Sequence, residues 1–215
     1  PVDRLAVRLG ENRLDVATLD GDSRGGRFGG ASGKIGVVPL LVSGGAGRWR
    51  FDRGVLGLDG RLDLDDAQVD PRFHRLESGD FGLTLRDGVI RAGGTLRYPG
   101  NPRTVAAVQI VHDLSRTTGN AVLDVPNLAF GPDLQPDMLT RLALGVVANV
   151  NGAASGQGRI FWDAGGVHSD GDFATEGMDL AAAFGPVSRL NSSRVTCRAP
   201  RRCVTTRAPI NWSFR

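Results

Sequence analysis

The residue best placed for covalent chemistry is Ser23, which lies in a Gly-x-Ser-x-Gly pattern between Gly21 and Gly25. This pattern marks a nucleophilic serine when the serine stands at a sharp turn between a buried strand and a helix. Here four of the seven residues after Ser23 are glycine, and glycine disfavours a helix. We therefore interpret the segment as a glycine-rich loop, and the sequence does not favour a hydrolase.

A second candidate for chemistry is phosphate binding at Gly33-Lys34. A phosphate-binding loop has a further glycine five positions before this glycine, and serine or threonine directly after the lysine. Those positions hold Phe28 and Ile35. The pattern fails at both, so no phosphate-binding loop is expected.

Metal and acid–base chemistry would need clustered ligands. The histidines His74, His112 and His168 are scattered, and none has a second histidine at metal-ligand spacing. The acidic run between Asp63 and Asp70 lacks the central glycine and final glutamate of a calcium loop. The sequence thus predicts structural histidines and a solvated acidic strand, with no catalytic residue, no metal, no cofactor and no enzymatic activity.

The charge of the chain is uneven. The 215 residues contain 26 Lys+Arg and 23 Asp+Glu, for a net charge of +3. Residues 191–215 contain six arginines and no acid, which leaves 20 basic and 23 acidic residues in 1–190. A nucleic-acid-binding protein carries a basic patch on its folded body, and this body is slightly acidic. We therefore expect no nucleic-acid partner.

The residues that could anchor or cross-link the chain are few. Both cysteines, Cys197 and Cys203, lie in the 191–215 tail, so the body has no disulfide framework. The longest uncharged run, between Arg141 and Arg159, has 17 residues with four glycines and two asparagines, which is too short and polar for a membrane span. The sequence begins at Pro1 without a signal peptide. We expect it to be a section of a longer protein.

The elements that position these residues are mainly strands. Apolar and polar residues alternate through 56–64, 81–86, 90–98, 121–125 and 160–162, which is typical of strands with one apolar face. Trp49, Trp162 and Phe173 could stack on a ligand or anchor in a membrane, but aromatic residues on alternating strands more often pack inward.

Short turn signals separate the strands. Asp-Gly or Asn-Gly pairs occur at 20–21, 59–60, 87–88, 151–152 and 170–171, and such pairs favour tight antiparallel hairpins. The pair at 59–60 lies inside an apolar alternation and could instead be a bulge. Segments 99–102 and 118–120 add two further turn signals, and residues 134–142 predict one short helix. The predicted fold is therefore all-β: a long twisted antiparallel meander, curled by its many glycines into an open trough.

Residues 105–190 resemble the YdbH-type proteins of the AsmA-like group, which also contains TamB. The similar segments are AVLDVPNLAFGPDLQP at 121–136, GQGRIFW at 156–162, VHSDGDF at 167–173 and MDLAAAFGPV at 178–187. The first hundred residues are similar only in their short amphipathic strands. After Val187 the sequence departs from the family pattern, because the 191–215 tail has neither glycine nor leucine. We expect this tail to be disordered or translated from a shifted frame, and to lie outside the sheet formed by 1–190.

The resemblance implies a role that the composition of the chain does not indicate by itself. It implies a section of a periplasm-spanning, bridge-type protein that carries phospholipid between the inner and outer membranes of Gram-negative bacteria. It also implies an inner-membrane anchor in the full-length protein and a small outer-membrane lipoprotein as partner at the C-terminal end. The alternation then predicts that one parity of side chains lines a groove for acyl chains: Leu62, Leu64, Leu83, Leu85, Leu96, Leu123, Ile160, Trp162 and Phe173. The alternative is a structural β module of a surface or adhesion protein, with the same apolar face packed dry.

Overall fold

A computed structural model describes residues 2–34, 38–140, 147–182, 185–190, 193–198 and 202–206. Its described residues form one sheet of fifteen strands and one short helix. In chain order the elements are β1 (Leu5–Leu9), β2 (Asn12–Val16), β3 (Thr18–Gly21), β4 (Gly25–Lys34), β5 (Leu40–Asp52), β6 (Val55–Asp66), β7 (Leu76–Arg86), β8 (Val89–Arg97), β9 (Thr104–Asp113), β10 (Thr118–Phe130), α1 (Pro136–Leu139), β11 (Val147–Asp163), β12 (Gly166–Ala182), β13 (Gly185–Leu190), β14 (Ser193–Arg198) and β15 (Arg202–Thr206).

The sheet is an antiparallel meander, as the local turn signals predicted. From β4 to β12 each strand pairs with the next strand in the chain. Towards the N-terminus, β2 pairs with the end of β4 and β1 with β2, while β3 pairs with the start of β4. The sheet is open rather than closed into a barrel, so the predicted all-β trough architecture is confirmed.

The tight turns were predicted only in part. Asp87 and Gly88 join β7 to β8 with φ values of 49° and 74°, as expected for a two-residue hairpin. Arg53 and Gly54 make the same kind of turn between β5 and β6, although arginine rarely adopts a positive φ. Two predicted turns are wrong, because 151–152 lies within β11 and 170–171 within β12. Two others are displaced: 20–21 ends β3 just before the β3–β4 turn, and 118–120 begins β10 just after the turn at 114–117. Gly152 instead marks a shift of register between β11 and β12, which is the signature of a bulge.

Bulges also explain how the sheet curls. The pairing of β5 with β6 shifts register between Ser43 and Ala46, and Gly44 there has a φ of +61°. Glycine adopts this left-handed conformation without the strain that a Cβ would bring. A further shift lies between Gly60 and Leu62 in the pairing of β6 with β7, and its extra residue is on β7, whereas Asp59 and Gly60 pair in regular register with both neighbouring strands, so the bulge suggested for 59–60 is not there. Each bulge increases local twist, and together they bend the sheet along its length.

The helix is shorter than predicted. The sequence indicated a helix over 134–142, and the structure has a single helical turn, α1, with Pro136 at its start. Proline is tolerated there because the first-turn amides have no intrahelical acceptor. Arg141 and Leu142 lie outside the described residues.

The described residues of the tail form two strands. The register pairs β14 with β12 from Asp170 to Thr175, and β15 with β14. These strands contain the β-branched residues Val195, Thr196, Val204 and Thr205, and such residues favour extended backbone. The division into a groove section and a separate tail stays a prediction.

Candidate functional site: an apolar inner face

One face of the sheet carries a continuous set of apolar residues contributed by neighbouring central strands. Residues paired directly in an antiparallel sheet share a face. One such row crosses the sheet from β6 to β11 and consists of Leu56, Leu85, Ile90, His112, Gly119 and Trp162. We call the face that carries this row the inner face.

Alternation along each strand then assigns the predicted groove residues to a face. Positions two residues apart on a strand lie on the same side. By register and parity, the inner face carries all nine of the residues predicted to line a groove: Leu62, Leu64, Leu83, Leu85, Leu96, Leu123, Ile160, Trp162 and Phe173. Their contact with lipid stays a prediction.

Five of the nine border a cavity of about 300 Å³ on the inner face. These five are Leu62, Leu64, Leu83, Leu85 and Leu96, from β6, β7 and β8. The cavity is bounded on one side by β1, β2 and β4 and on the other by β9, so the curled sheet supplies both walls. The lining is mainly aliphatic and aromatic, which gives a surface that favours hydrocarbon over water.

Three other predicted residues lie in a neighbouring region that the chain itself covers, and Ile110 borders both this region and the cavity. Val38, just before β5, packs against Ala121 and Trp162, and the exposed fractions of these side chains are 7%, 7% and 4%. Around them pack the partly buried Leu40, Ile110, Leu123 and Ile160. We call these seven residues the packed cluster. The start of β5 lies five strands from β10 in sheet order, so this contact requires the sheet to curl.

Phe173 lies apart from both regions. Its exposed fraction is 39%, and it belongs to neither the cavity lining nor the packed cluster. The structure therefore divides the nine predicted residues between a cavity, a packed region and an exposed position.

A buried polar contact lies at the edge of the packed cluster. The Trp162 Nε1–H donates to His112 Nδ1 at 3.1 Å, and the His112 side chain is fully buried. His112 Nδ1 must therefore be unprotonated. Burial lowers the pKa of His112, against smaller opposing effects from the Thr118 backbone and the Asp113 carboxylate. His112 is thus a structural histidine, as the sequence analysis predicted.

The segment that carries Val38 is held by its neighbouring loop. The Ala67 N–H donates to the Pro39 carbonyl at 3.0 Å. Asp66, whose side chain is fully buried, accepts from the Arg72 Nε at 2.7 Å and from the backbone N–H groups of Arg72 and Gln68. Burial alone would raise the pKa of Asp66, but these hydrogen bonds outweigh it and hold the pKa below its usual value.

The FGPDLQP motif closes the loop between β10 and β11. Leu134 is fully buried. The Gln135 side chain donates to the carbonyls of Gly131 and Val150 at 2.7 and 2.9 Å, and accepts from the Val150 N–H at 2.8 Å. Leu134 and Gln135 therefore act as structural residues that fix this loop onto β11.

The opposite, outer face is polar. Arg159 on β11 donates to Asp170 on β12 at 2.8 Å, and Arg50 on β5 donates to Asp59 on β6 at 3.3 Å. Both pairs are substantially exposed, so they contribute solubility more than stability. The sheet is therefore amphipathic through its thickness.

The residues that the sequence analysis rejected as chemical sites lie in a turn and in an ion pair. Ser23 lies in the turn between β3 and β4, where Asp22 Oδ1 accepts from the backbone N–H groups of Arg24 and Gly25. A strand follows this turn, where a nucleophilic serine would need a helix. Asp65 pairs with Arg75 at 2.9 Å. Among the described residues no group of three or more His, Cys, Asp or Glu side chains could hold a metal ion.

The sequence analysis did not predict the side of the cavity that the N-terminal strands form. Val7, Leu14, Phe28 and Val42 line it from β1, β2, β4 and β5. The alternation there is interrupted, because glycines and register shifts on β4 and β5 move apolar residues between odd and even positions. Leu56, Leu58, Phe81 and Ile90 also line the cavity, and their alternation was visible in the sequence.

No curated protein and no solved structure matches the chain. Within the part of the chain that the structure describes, no helix is long and apolar enough to cross a membrane. A family model does match. It covers the first hundred residues, whose similarity to the family was limited to short amphipathic strands, and it continues past Val187 to residue 199. That model is described as YdbH-like, intermembrane phospholipid transport protein YdbH; it matches residues 2–199, and the chain belongs to this family.

Proposed function

We propose that the inner face binds the acyl chains of phospholipids, and that the chain is one section of a bridge along which these lipids move between two membranes. The bridge would span the periplasm, with an inner-membrane anchor and an outer-membrane partner supplied by the full-length protein. The observation that carries this proposal is an apolar cavity bordered by the curled sheet in a member of a phospholipid-transport family.

The driving force is burial of hydrocarbon. Each CH₂ group removed from water contributes about 0.8 kcal/mol, so an acyl chain gains from contact with any part of an aliphatic wall. The leucines along β6 and β7 present similar surface at successive positions. A ligand held in this way has nearly the same free energy at neighbouring positions, which permits sliding without a defined catalytic or binding residue.

The polar outer face supports the same proposal. Ion pairs such as Arg159–Asp170 keep that side of the sheet in water, while the apolar side faces the lipid. Transfer of this kind needs no covalent step.

The test compares two aspartates placed on adjacent residues of β7. Leu85→Asp puts a charge on the cavity wall, whereas Thr84→Asp puts the same charge on the exposed outer side of the same strand. Native mass spectrometry of each purified chain would measure the phospholipid that co-purifies. We expect lipid with the unaltered chain and with Thr84→Asp, and loss of lipid with Leu85→Asp.

Circular dichroism separates loss of binding from loss of fold. Leu85→Asp should keep its β signal, because Leu85 lies on a cavity wall and not in the packed cluster. Retention of lipid by Leu85→Asp would contradict the proposal. An unaltered chain that never carries lipid would favour the alternative, a structural module whose inner face is dry.

A further inference from the structure

The two cysteines of the chain occupy directly opposed positions in the sheet. Cys197 is on β14 and Cys203 is on β15, and the register of this antiparallel pair places them in one row. Directly opposed residues have Cα atoms about 4.5 or 5.5 Å apart, depending on whether the pair is hydrogen-bonded. A disulfide bond requires a Cα separation of about 4.4–6.8 Å. Either kind of pair therefore meets the backbone requirement for a disulfide.

The sequence around the cysteines favours the reactive form of their thiols. Arg198 directly follows Cys197, and Arg202 directly precedes Cys203. The thiolate is the form of cysteine that attacks a disulfide, and nearby positive charge stabilises it. Residues 191–215 contain no acid that would oppose this effect. The two residues that the register brings together thus lie in a stretch of sequence that promotes exchange with an external disulfide.

The pairing of β14 with β15 has a weakness that a covalent bond would offset. Arg198 lies directly opposite Arg202, and opposed like charges destabilise a strand pair. On its other side β15 pairs with no described strand. A bond in the row beside the two arginines would hold the strands together against this repulsion. Because the closed loop is short, the bond would stabilise the hairpin and contribute little to the rest of the sheet.

We propose that Cys197 and Cys203 form a disulfide bond that closes the hairpin of β14 and β15. The oxidant is an external disulfide such as oxidised glutathione. The thiolate of one cysteine attacks this disulfide and displaces one of its sulfurs as a thiolate, and the second cysteine then attacks the mixed disulfide and displaces the other. The two cysteines together lose two electrons and two protons, and the external disulfide accepts them to become two thiols. This inference goes beyond the proposed function and does not depend on lipid binding.

The experiment equilibrates the full chain with buffers that contain reduced and oxidised glutathione in different ratios. Remaining thiols are blocked with iodoacetamide, and mass spectrometry of the intact chain counts the blocking groups. A reduced chain carries two such groups, whereas a chain with the disulfide carries none. We expect the unaltered chain to become a monomer without blocking groups as the buffer is made more oxidising.

A variant with one cysteine out of register tests whether the sheet places the pair. In Cys203→Ser, Val204→Cys the thiol moves one position along β15, to the place opposite Thr196. Adjacent residues of a strand lie on opposite faces, so this thiol cannot reach Cys197 within a paired hairpin. The buffer ratio at which half of the chain is oxidised should therefore shift by about tenfold or more toward oxidising conditions.

The outcomes decide the proposal independently of lipid transport. Two free thiols on the unaltered chain in fully oxidised glutathione, or oxidation only to disulfide-linked dimers, would overturn the bond. Equal midpoints for the unaltered and out-of-register pairs would show that a flexible tail, and not the strand register, brings the cysteines together. Cys197→Ser should retain as much co-purified phospholipid as the unaltered chain, and loss of lipid in this variant would contradict a modification site separate from the lipid path.

Discussion

The cavity and the packed cluster are built from the same alternation of apolar residues on the same face of one sheet, yet one encloses space and the other is dense. Leu83 and Ile160 even lie in the same row of directly paired residues on the inner face. They differ because Val38 and Leu40 cover the surface around Ile160, whereas Leu83 faces the cavity. Alternation therefore determines which side chains are apolar and inward, and a covering segment determines whether they are available to a ligand.

The covering of part of the inner face limits where a lipid could bind. Where Val38 packs on Ala121 and Trp162, the chain itself occupies the surface that an acyl chain would use. In this structure the path is therefore accessible along β6–β8 and covered along β10 and β11. The following predictions test that contrast, from the largest expected effect to the smallest.

Removing the centre of the packed cluster should cost the most stability. Trp162→Ala deletes a side chain that is 4% exposed and breaks the hydrogen bond to His112. We expect the free energy of unfolding to fall by about 3–5 kcal/mol, measured by urea denaturation. The matched control is Phe161→Ala on the same strand, where a side chain 46% exposed should cost less than about 1 kcal/mol. Equal losses would show that the cluster is not a true core.

Residues 38–40 cover the packed cluster, and the loop after β6 holds this segment in place. Weakening that loop should reduce the free energy of unfolding by a smaller amount. Asp66→Asn keeps the size of the side chain but weakens the charge-assisted hydrogen bonds from Arg72. We expect a loss of about 1–3 kcal/mol and faster hydrogen exchange at the Ala67 amide, which donates to Pro39. Asp65→Asn removes the neighbouring exposed ion pair and should cost about 0–1 kcal/mol. If the two variants were equally stable, Asp66 would not anchor the segment.

Acidification should weaken the cluster through His112. Because burial lowers its pKa in the folded chain, the unfolded chain binds the proton more readily. The stability that neutral His112 provides is therefore full above its ordinary pKa of 6.5 and is lost as pH falls below that value. The melting temperature should drop between pH 7.5 and pH 5.5, values chosen on either side of the ordinary histidine pKa of about 6.5.

A variant at His112 isolates this effect. His112→Gln retains an acceptor for the Trp162 N–H but does not titrate, so its melting temperature should change less over the same interval. Asp66 loses its contribution only at lower pH, below the ordinary value of 3.8, because its pKa is also lowered by folding. A drop of the same size in His112→Gln would assign the pH dependence to another group.

The sequence allowed the fold class and the inner face to be predicted, because both follow from period-two alternation and local turns. Leu62, Leu83 and Ile160 could be placed on one face by parity alone. The covering segment could not be predicted, since the contact of Val38 with Trp162 joins residues far apart in sequence and depends on the summed twist of several bulges. For the same reason the Asn-Gly pair at 151–152 predicts a turn from its sequence alone, although its glycine lies at a bulge within a long strand.

The last and smallest effect concerns the arginine-rich end of the chain, where composition and pairing give different expectations. Truncation after Arg198 removes β15, which pairs on one side only and places Arg202 directly opposite Arg198. Because an edge strand with opposed like charges stabilises little, we expect the free energy of unfolding to change by less than about 1 kcal/mol. The family match ends at residue 199, which is consistent with a minor role for β15.

Hydrogen exchange of the full chain then distinguishes the two expectations. Slow exchange across 193–198 would place β14 in the sheet beside β12, whereas fast exchange throughout 193–206 would support a tail outside it, as its composition predicted.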